Sequence, residues 1–180
     1  MRSPRPFVIL LTGVMASGKS TVAQRVAEVL PSCVHLRGDV FRRMIVSGRV
    51  EMTPDPSASA LEQLRLRHTA AAAAAQVYLA AGFSVVYQDV ILGDVLDEVV
   101  GFYDQHPLHV VVLCPSANVV AEREARRSKR GYGAISVETL DAVLREQTPR
   151  IGLWLDTSYL TVAQTVARIL EHVARTDPSG

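Results

Sequence analysis

Apolar residues fall into short unbroken runs separated by longer amphipathic stretches. Phe7 to Thr12 is continuously apolar, as a parallel strand buried on both faces should be. Ser20 to Leu30 reads as a helix, stopped by Pro31, and Cys33 to Leu36 as a second strand. Asp39 to Ser47 reads as a short helix, and Gly48 to Ser59, with Pro54 and Pro56, as a loop. Ala60 to Ala81 predicts a long alanine-rich helix closed by Gly82. Strands follow at Ser84 to Gln88, His109 to Cys114 and Gly152 to Leu155. Helices are expected at Asp94 to Tyr103 (capped by Asp94), from Ser116 to about Lys129, from Ser136 to near Gln147, and at Thr161 to Ala174.

Strands alternating with helices predict an α/β fold of three layers, α/β/α, around a five-stranded parallel sheet. The 180 residues suit a single domain with no linker or repeat. In such sheets ligands bind beyond the carboxyl ends of the strands. One rim then holds Gly13 to Ser20, Gly38-Asp39, Asp89 to Gly93, Pro115-Ser116 and Asp156 to Ser158.

The rim contains the pattern G-x-x-x-x-G-K-S at Gly13, Gly18, Lys19 and Ser20, directly between an apolar strand and a helix. Its glycines let successive N–H groups curl inward around phosphate oxygens. Gly13, Ala16, Ser17, Gly18, Lys19, Ser20 and Thr21 are therefore expected to cradle a nucleoside triphosphate. Lys19 should reach its outer phosphates, and the Ser20 hydroxyl should ligate Mg²⁺.

Three further features point from nucleotide binding towards phosphoryl transfer. Asp39, after the second strand, can accept a proton from an attacking hydroxyl, with Arg42 one turn on steadying the acceptor. The competing reading of Asp39 is a helix cap. Asp89 ends the third strand, the expected neighbour of the P-loop strand, and can serve Mg²⁺ or bind substrate. The two carboxylates can also exchange roles, with Asp89 as base. The third feature is the basic run Arg123, Arg126, Arg127, Lys129, Arg130, followed by Gly131 and Gly133. Arg123, Arg127 and Arg130 share a helical face and suit a lid, about residues 123–133, over the triphosphate. Arg65 and His68 can line an acceptor region within about 39–68, although His68 reads more simply as a surface or partly packed residue. Trp154 reads as core.

Composition narrows the alternatives. Hydrophobic residues make up 48% and charged residues 21%, ordinary for a globular protein, and the net charge of +1 advertises no polyanion partner. A polynucleotide kinase would call for a basic channel, and a nucleotide-dependent regulator for a partner domain or tail. The histidines show no metal-ligand spacing. Cys33 and Cys114 read as free core thiols, which fits a reducing, cytoplasmic setting. The basic-then-apolar start reads as a core strand and not as a secretion signal.

GVMASGKST, GDVFRRM, YQDVILG, CPSANVVAEREARRSKRGYG and LWLDTS, in that order and spacing, resemble the chloramphenicol phosphotransferase-like small P-loop kinases of the AAA-type P-loop NTPase superfamily. The P-loop is also similar to that of gluconate kinases. GDVFR resembles adenylate kinase, but VVYQDVILG lacks the glycine-proline-arginine motif expected there, which disfavours a nucleoside monophosphate acceptor. The resemblance implies an ATP- and Mg²⁺-dependent kinase acting on a hydroxyl of an antibiotic, nucleoside, sugar or sugar acid. It also implies Asp39 as the catalytic base, with Lys19 and Arg127 supporting transfer and Arg123 and Arg127 as lid arginines.

Overall fold

The structure is a computed structural model that describes residues 5–126 and 135–176. Five parallel strands form the sheet: β1 (Val8–Gly13), β2 (Cys33–Arg37), β3 (Ser84–Gln88), β4 (Leu108–Leu113) and β5 (Leu153–Leu155). Their spatial order is β2-β3-β1-β4-β5. Asp89 thus lies at the end of the strand beside the P-loop strand, as expected.

All six residues of β1 are buried, because the strand is central and covered on both faces. Side chains alternate between the faces. Val8 and Leu10 enter one core with Val85 and Tyr87, while Ile9 and Leu11 enter the other with Val86 and Val111. The second core is closed by α1 (Lys19–Val29), through Val22 and Val26, and by α7 (Val162–Thr176), through Val166 and Ile169. The first is closed by α3 (Ala58–Ala80) and α4 (Val95–Gly101), with Val120 of α5 (Ala117–Ala125). On α3 the seal is made by Ala71, Ala72 and Ala75. Their small side chains let the helix backbone approach the sheet closely. Between the two cores the three-layer α/β/α arrangement is complete.

Several boundaries differ from expectation. The helix after β2, α2 (Gly38–Met44), ends before Ser47. The long helix starts earlier than Ala60, because the Ser57 hydroxyl caps it by accepting from Ala60 N at 3.2 Å. Asp94 precedes α4 without capping it. Its own backbone is helical (φ −62°, ψ −19°) where a capping residue is ordinarily extended. Ser116 and Ser136 do cap α5 and α6 (Val137–Ala142), accepting from Val119 N and Thr139 N. A π-helical turn, Val143–Gln147, ends that second segment.

Trp154 packs against the first core but is only partly buried, since β5 is an edge strand; the Arg150 guanidinium covers its ring at 3.9 Å. Both cysteines are free: Cys114 is buried, and Cys33 is partly buried with its thiol pushed up to about 11 by burial. Among the described residues no helix is long and apolar enough to cross a membrane.

Candidate nucleotide and phosphotransfer site

At the end of β1 the chain must turn directly beneath β4. A Cβ on Gly13 would stand 2.4 Å from the Leu113 carbonyl oxygen, and φ there is +144°. Only glycine fits on both counts. Ala16 (φ +61°) is the sole non-glycine residue in the left-handed region among the described residues. Such a residue costs roughly 1 kcal/mol, a strain of the kind concentrated in ligand-holding loops. Ser17 N donates to Val14 O at 3.2 Å and closes the turn. Gly18 (φ +98°) then leads into α1 with no side-chain cap. The first amides of α1 are thereby left for an anion, with the positive end of the helix behind them.

Lys19 is buried, 8% exposed, and its Nζ donates to Val14 O at 2.7 Å. The loop borders a cavity of about 580 Å³. Met15, Ala16, Gly18, Lys19, Ser20 and Thr21 line one side. Asp39, Asp89 and Arg123 line it too, so the P-loop and the two aspartates come together, whereas the expected rim segments 115–116 and 156–158 do not line it.

The two aspartates sit in unlike surroundings. Asp89 is 7% exposed, and both of its oxygens are engaged. Oδ1 accepts from Val90 N at 2.8 Å. Oδ2 lies 2.9 Å from Arg67 Nε, and the Tyr87 hydroxyl donates to it at 3.3 Å. Burial pushes the Asp89 carboxyl upward, opposed by the Arg67 guanidinium, the Val90 N–H and Lys19. The competing Arg67 charge and the hydrogen bonds make it a held carboxylate within a polar cluster.

Behind Tyr87 stands His68, 1% exposed, with Nδ1 2.8 Å from the tyrosine oxygen. Because that hydroxyl donates to Asp89, the histidine must donate to it, which defines the neutral Nδ1–H form. Burial, helped by Arg67, depresses His68 to about 3, in agreement. His68 is therefore no surface residue. It sits on the sheet-facing side of α3, among the alanines, and braces Asp89 from beneath. Arg65 turns instead to Glu98 of α4, at 3.2 Å.

Asp39 is exposed, with Oδ2 3.1 Å from Arg43 and Oδ1 3.8 Å from Arg37. It lies inside the first turn of α2, one position past Gly38, and makes no capping bond. Arg42, expected at the acceptor, is absent from the cavity lining and pairs with Glu51. One residue is about 100° around a helix, and it is Arg43 that faces the cavity, joined by Arg37 and Gln88 from adjacent strand ends.

Arg123 is not held out over the site. Its guanidinium donates to Ser17 O at 3.4 Å and to Thr157 O at 3.2 Å, bracing the P-loop against the segment after β5. Most of the expected lid, including Arg127, Lys129 and Arg130, lies outside the described residues. On the same rim Ser116 N donates to Ser158 Oγ, and the Ser158 hydroxyl and N–H donate to Asp156 and lower its carboxyl.

Arg37, Arg43, Gln88, Arg67 and Tyr87 were not singled out from sequence. Only the position of Arg37 and Gln88 at strand ends carried a signal; the others depend on how α2 and α3 dock.

A P-loop closing the central strand, with Asp89 at the end of the strand beside it and Asp39 after the edge strand β2, gives the fold of the small P-loop kinases. The chain belongs to the AAA domain family, whose model matches residues 8–151. A UPF0200 protein of Aeropyrum pernix is 44% identical over 55 residues, a stretch spanning 31% of this chain and 29% of that relative. Two solved structures are similar over nearly their full lengths. A sugar kinase from Janibacter sp. HTCC2649 superposes with a TM-score of 0.70 at 19% identity, covering 96% of each chain. A gluconokinase from Sinorhizobium meliloti 1021 gives 0.67 at 22% identity, covering 98% of this chain and 96% of its own.

Proposed function

We propose that the protein is an ATP- and Mg²⁺-dependent kinase that moves the γ-phosphoryl group to a hydroxyl of a small molecule such as a sugar, nucleoside or antibiotic. The observation that carries this reading is the meeting of Lys19, Ser20, Asp89 and the accessible Asp39 in one cavity. A nucleotide-binding module would need the P-loop alone. A second carboxylate, open to the cavity at the edge of the sheet, is what an acceptor requires.

The donor set suits Mg²⁺: a serine hydroxyl and one carboxylate are hard oxygen ligands of the kind that share this ion with phosphates. No group of three or more His, Cys, Asp or Glu able to hold a metal by itself occurs among the described residues. Ser20 would hold the ion and Asp89 would hold it or its water, and the ion would neutralise phosphate charge. The protein's own part is then positioning and proton transfer. Asp39 takes the acceptor proton as the hydroxyl oxygen bonds to the γ-phosphorus, and the bond from that phosphorus to ADP breaks. Transfer of this kind is loose, so a weak base suffices. Asp89 is less suited to that task, with both oxygens already engaged. Lys19 and Arg123 offset charge on the phosphates, as would Arg127. An ATP-consuming enzyme with two free thiols suits the cytoplasm.

Transfer of label from Mg-ATP to a panel of hydroxyl compounds tests the reading. We expect transfer to at least one of them, abolished by Lys19→Ala. Mg-ATP binding with hydrolysis indifferent to every acceptor would favour a regulatory ATPase instead.

A further inference from the structure

The cavity is asymmetric in charge, and the asymmetry bears on what the acceptor is. Among the described residues four cations line it, Lys19, Arg37, Arg43 and Arg123, against the carboxylates Asp39 and Asp89. Asp89 is engaged by Arg67, which is not part of the lining, and then by Lys19 at the phosphate end. Lys19 and Arg123 are anchored to P-loop carbonyls at the phosphate end. Arg37 and Arg43 stand at the other end, beside β2, with Asp39 as their common carboxylate. That end therefore carries two guanidiniums for one acid.

Neither arginine is consumed by the fold. Their side chains are 49% and 55% exposed, and pairs so exposed add little stability. Arg37 approaches Asp39 only through Nε, at 3.8 Å, and each guanidinium has five N–H donors in a fork matched to carboxylate or phosphate. Gln88, which pairs with Arg37 across the strand ends, adds an amide beside them. Among the described lining residues none is aromatic, and the apolar ones, Met15 and Val90 foremost, flank the strand ends and the P-loop. The surface fits a compact, polar, charged molecule.

We infer that the acceptor is an anionic hydroxyl compound, whose carboxylate or phosphate is gripped by Arg37 and Arg43 while its hydroxyl faces Asp39. This rests on the kinase reading for the hydroxyl but not for the anion grip. When Asp39 takes the hydroxyl proton it loses its charge, and the acceptor's own anion remains to balance the two arginines.

The test uses the full chain with Mg·AMP-PNP filling the nucleotide site, so that a second anion cannot simply occupy the P-loop. Arginine Nε–H resonances are followed by NMR during titration with acetate, then with orthophosphate. Saturating shifts of the Arg37 and Arg43 signals are expected, and the anion that produces them separates a carboxylate from a phosphate acceptor. Signals unmoved by either anion would overturn the inference. Phosphoryl transfer to D-gluconate against D-sorbitol, and to glycerol 3-phosphate against glycerol, gives the functional arm. The anionic member of a pair should be preferred, and Arg37→Gln or Arg43→Gln should raise its KM about tenfold or more. Preference for the neutral members would also overturn it. Saturating shifts with no transfer to anything would uphold the anion site and sink the kinase reading.

Discussion

The Cα of Gly38 rests against the carboxylate of Asp89, so closely that a Cβ would stand 1.8 Å from Oδ2 and 2.1 Å from Cγ. The backbone of Gly38 is unremarkable in φ, so its requirement is space and not a turn. The helix carrying Asp39 thus docks on Asp89, and the segments bearing the cavity's two carboxylates share a contact. Gly38→Ala must move either Asp89 or α2. We expect a loss of about 1–3 kcal/mol in stability, as for other overpacked sites. Transfer should fall further than that loss explains. Chemical denaturation and activity at a temperature where both proteins are folded check this, and a fully active, equally stable alanine variant would contradict the packing.

Arg67 is the counter-charge of a carboxylate that water barely reaches. Removing one partner of such a pair leaves the other desolvated and uncompensated, at a cost of about 3–5 kcal/mol. Arg67→Met should therefore destabilise strongly, whereas Arg67→Met combined with Asp89→Asn should recover much of the loss. A double-mutant cycle in urea measures the coupling, and additive effects would show that the two residues act independently.

How far this site could be read from sequence follows the kind of contact each residue makes. The P-loop was legible because its chemistry is local: glycines, lysine and serine at set spacing between a strand and a helix. Asp39 and Asp89 were legible because strand order and the carboxyl-end rule place them. The bracing of Asp89 was not. Arg67 and His68 reach it from a helix some twenty residues earlier, and an alanine-rich helix shows no apolar stripe to say which side faces the sheet. Hence His68 read as a surface or partly packed residue. Arg42 and Arg43 are likewise equivalent in sequence, and only the docking angle of α2 turns one to the cavity and the other to Glu51.

The buried neutral His68 ties stability to pH. Its folded value, about 3, lies below the ordinary histidine value of 6.5. Between these, the unfolded chain binds a proton that the folded protein refuses, so stability is lost as pH falls from 6.5 towards 3. The contribution is up to about 1.4 kcal/mol per pH unit from this one group. His68→Gln should lower stability at neutral pH by loosening Tyr87, yet flatten the dependence below pH 6.5. Denaturation midpoints across that range decide it; an unchanged slope would mean that His68 is protonated in the native state.

Asp39 and Asp89 can be separated by what each loss leaves intact. Asp39 is exposed and meets only arginines, so Asp39→Asn should fold normally and bind Mg·AMP-PNP with unchanged affinity. Its transfer rate should drop by about 10²–10⁴, the usual contribution of a positioned base. Asp89→Asn keeps the side chain's shape but removes its charge and leaves Arg67 unpaired, so it should be less stable and is compared at a temperature where it is folded. It should weaken Mg²⁺-dependent nucleotide binding, and raising Mg²⁺ should restore part of the rate. Calorimetric titration of Mg·AMP-PNP beside single-turnover transfer distinguishes the two. If Asp39→Asn turned over like the parent while Asp89→Asn lost transfer but kept its affinity, the roles would be reversed. The proton would then leave through the carboxylate that Tyr87 and Arg67 already hold.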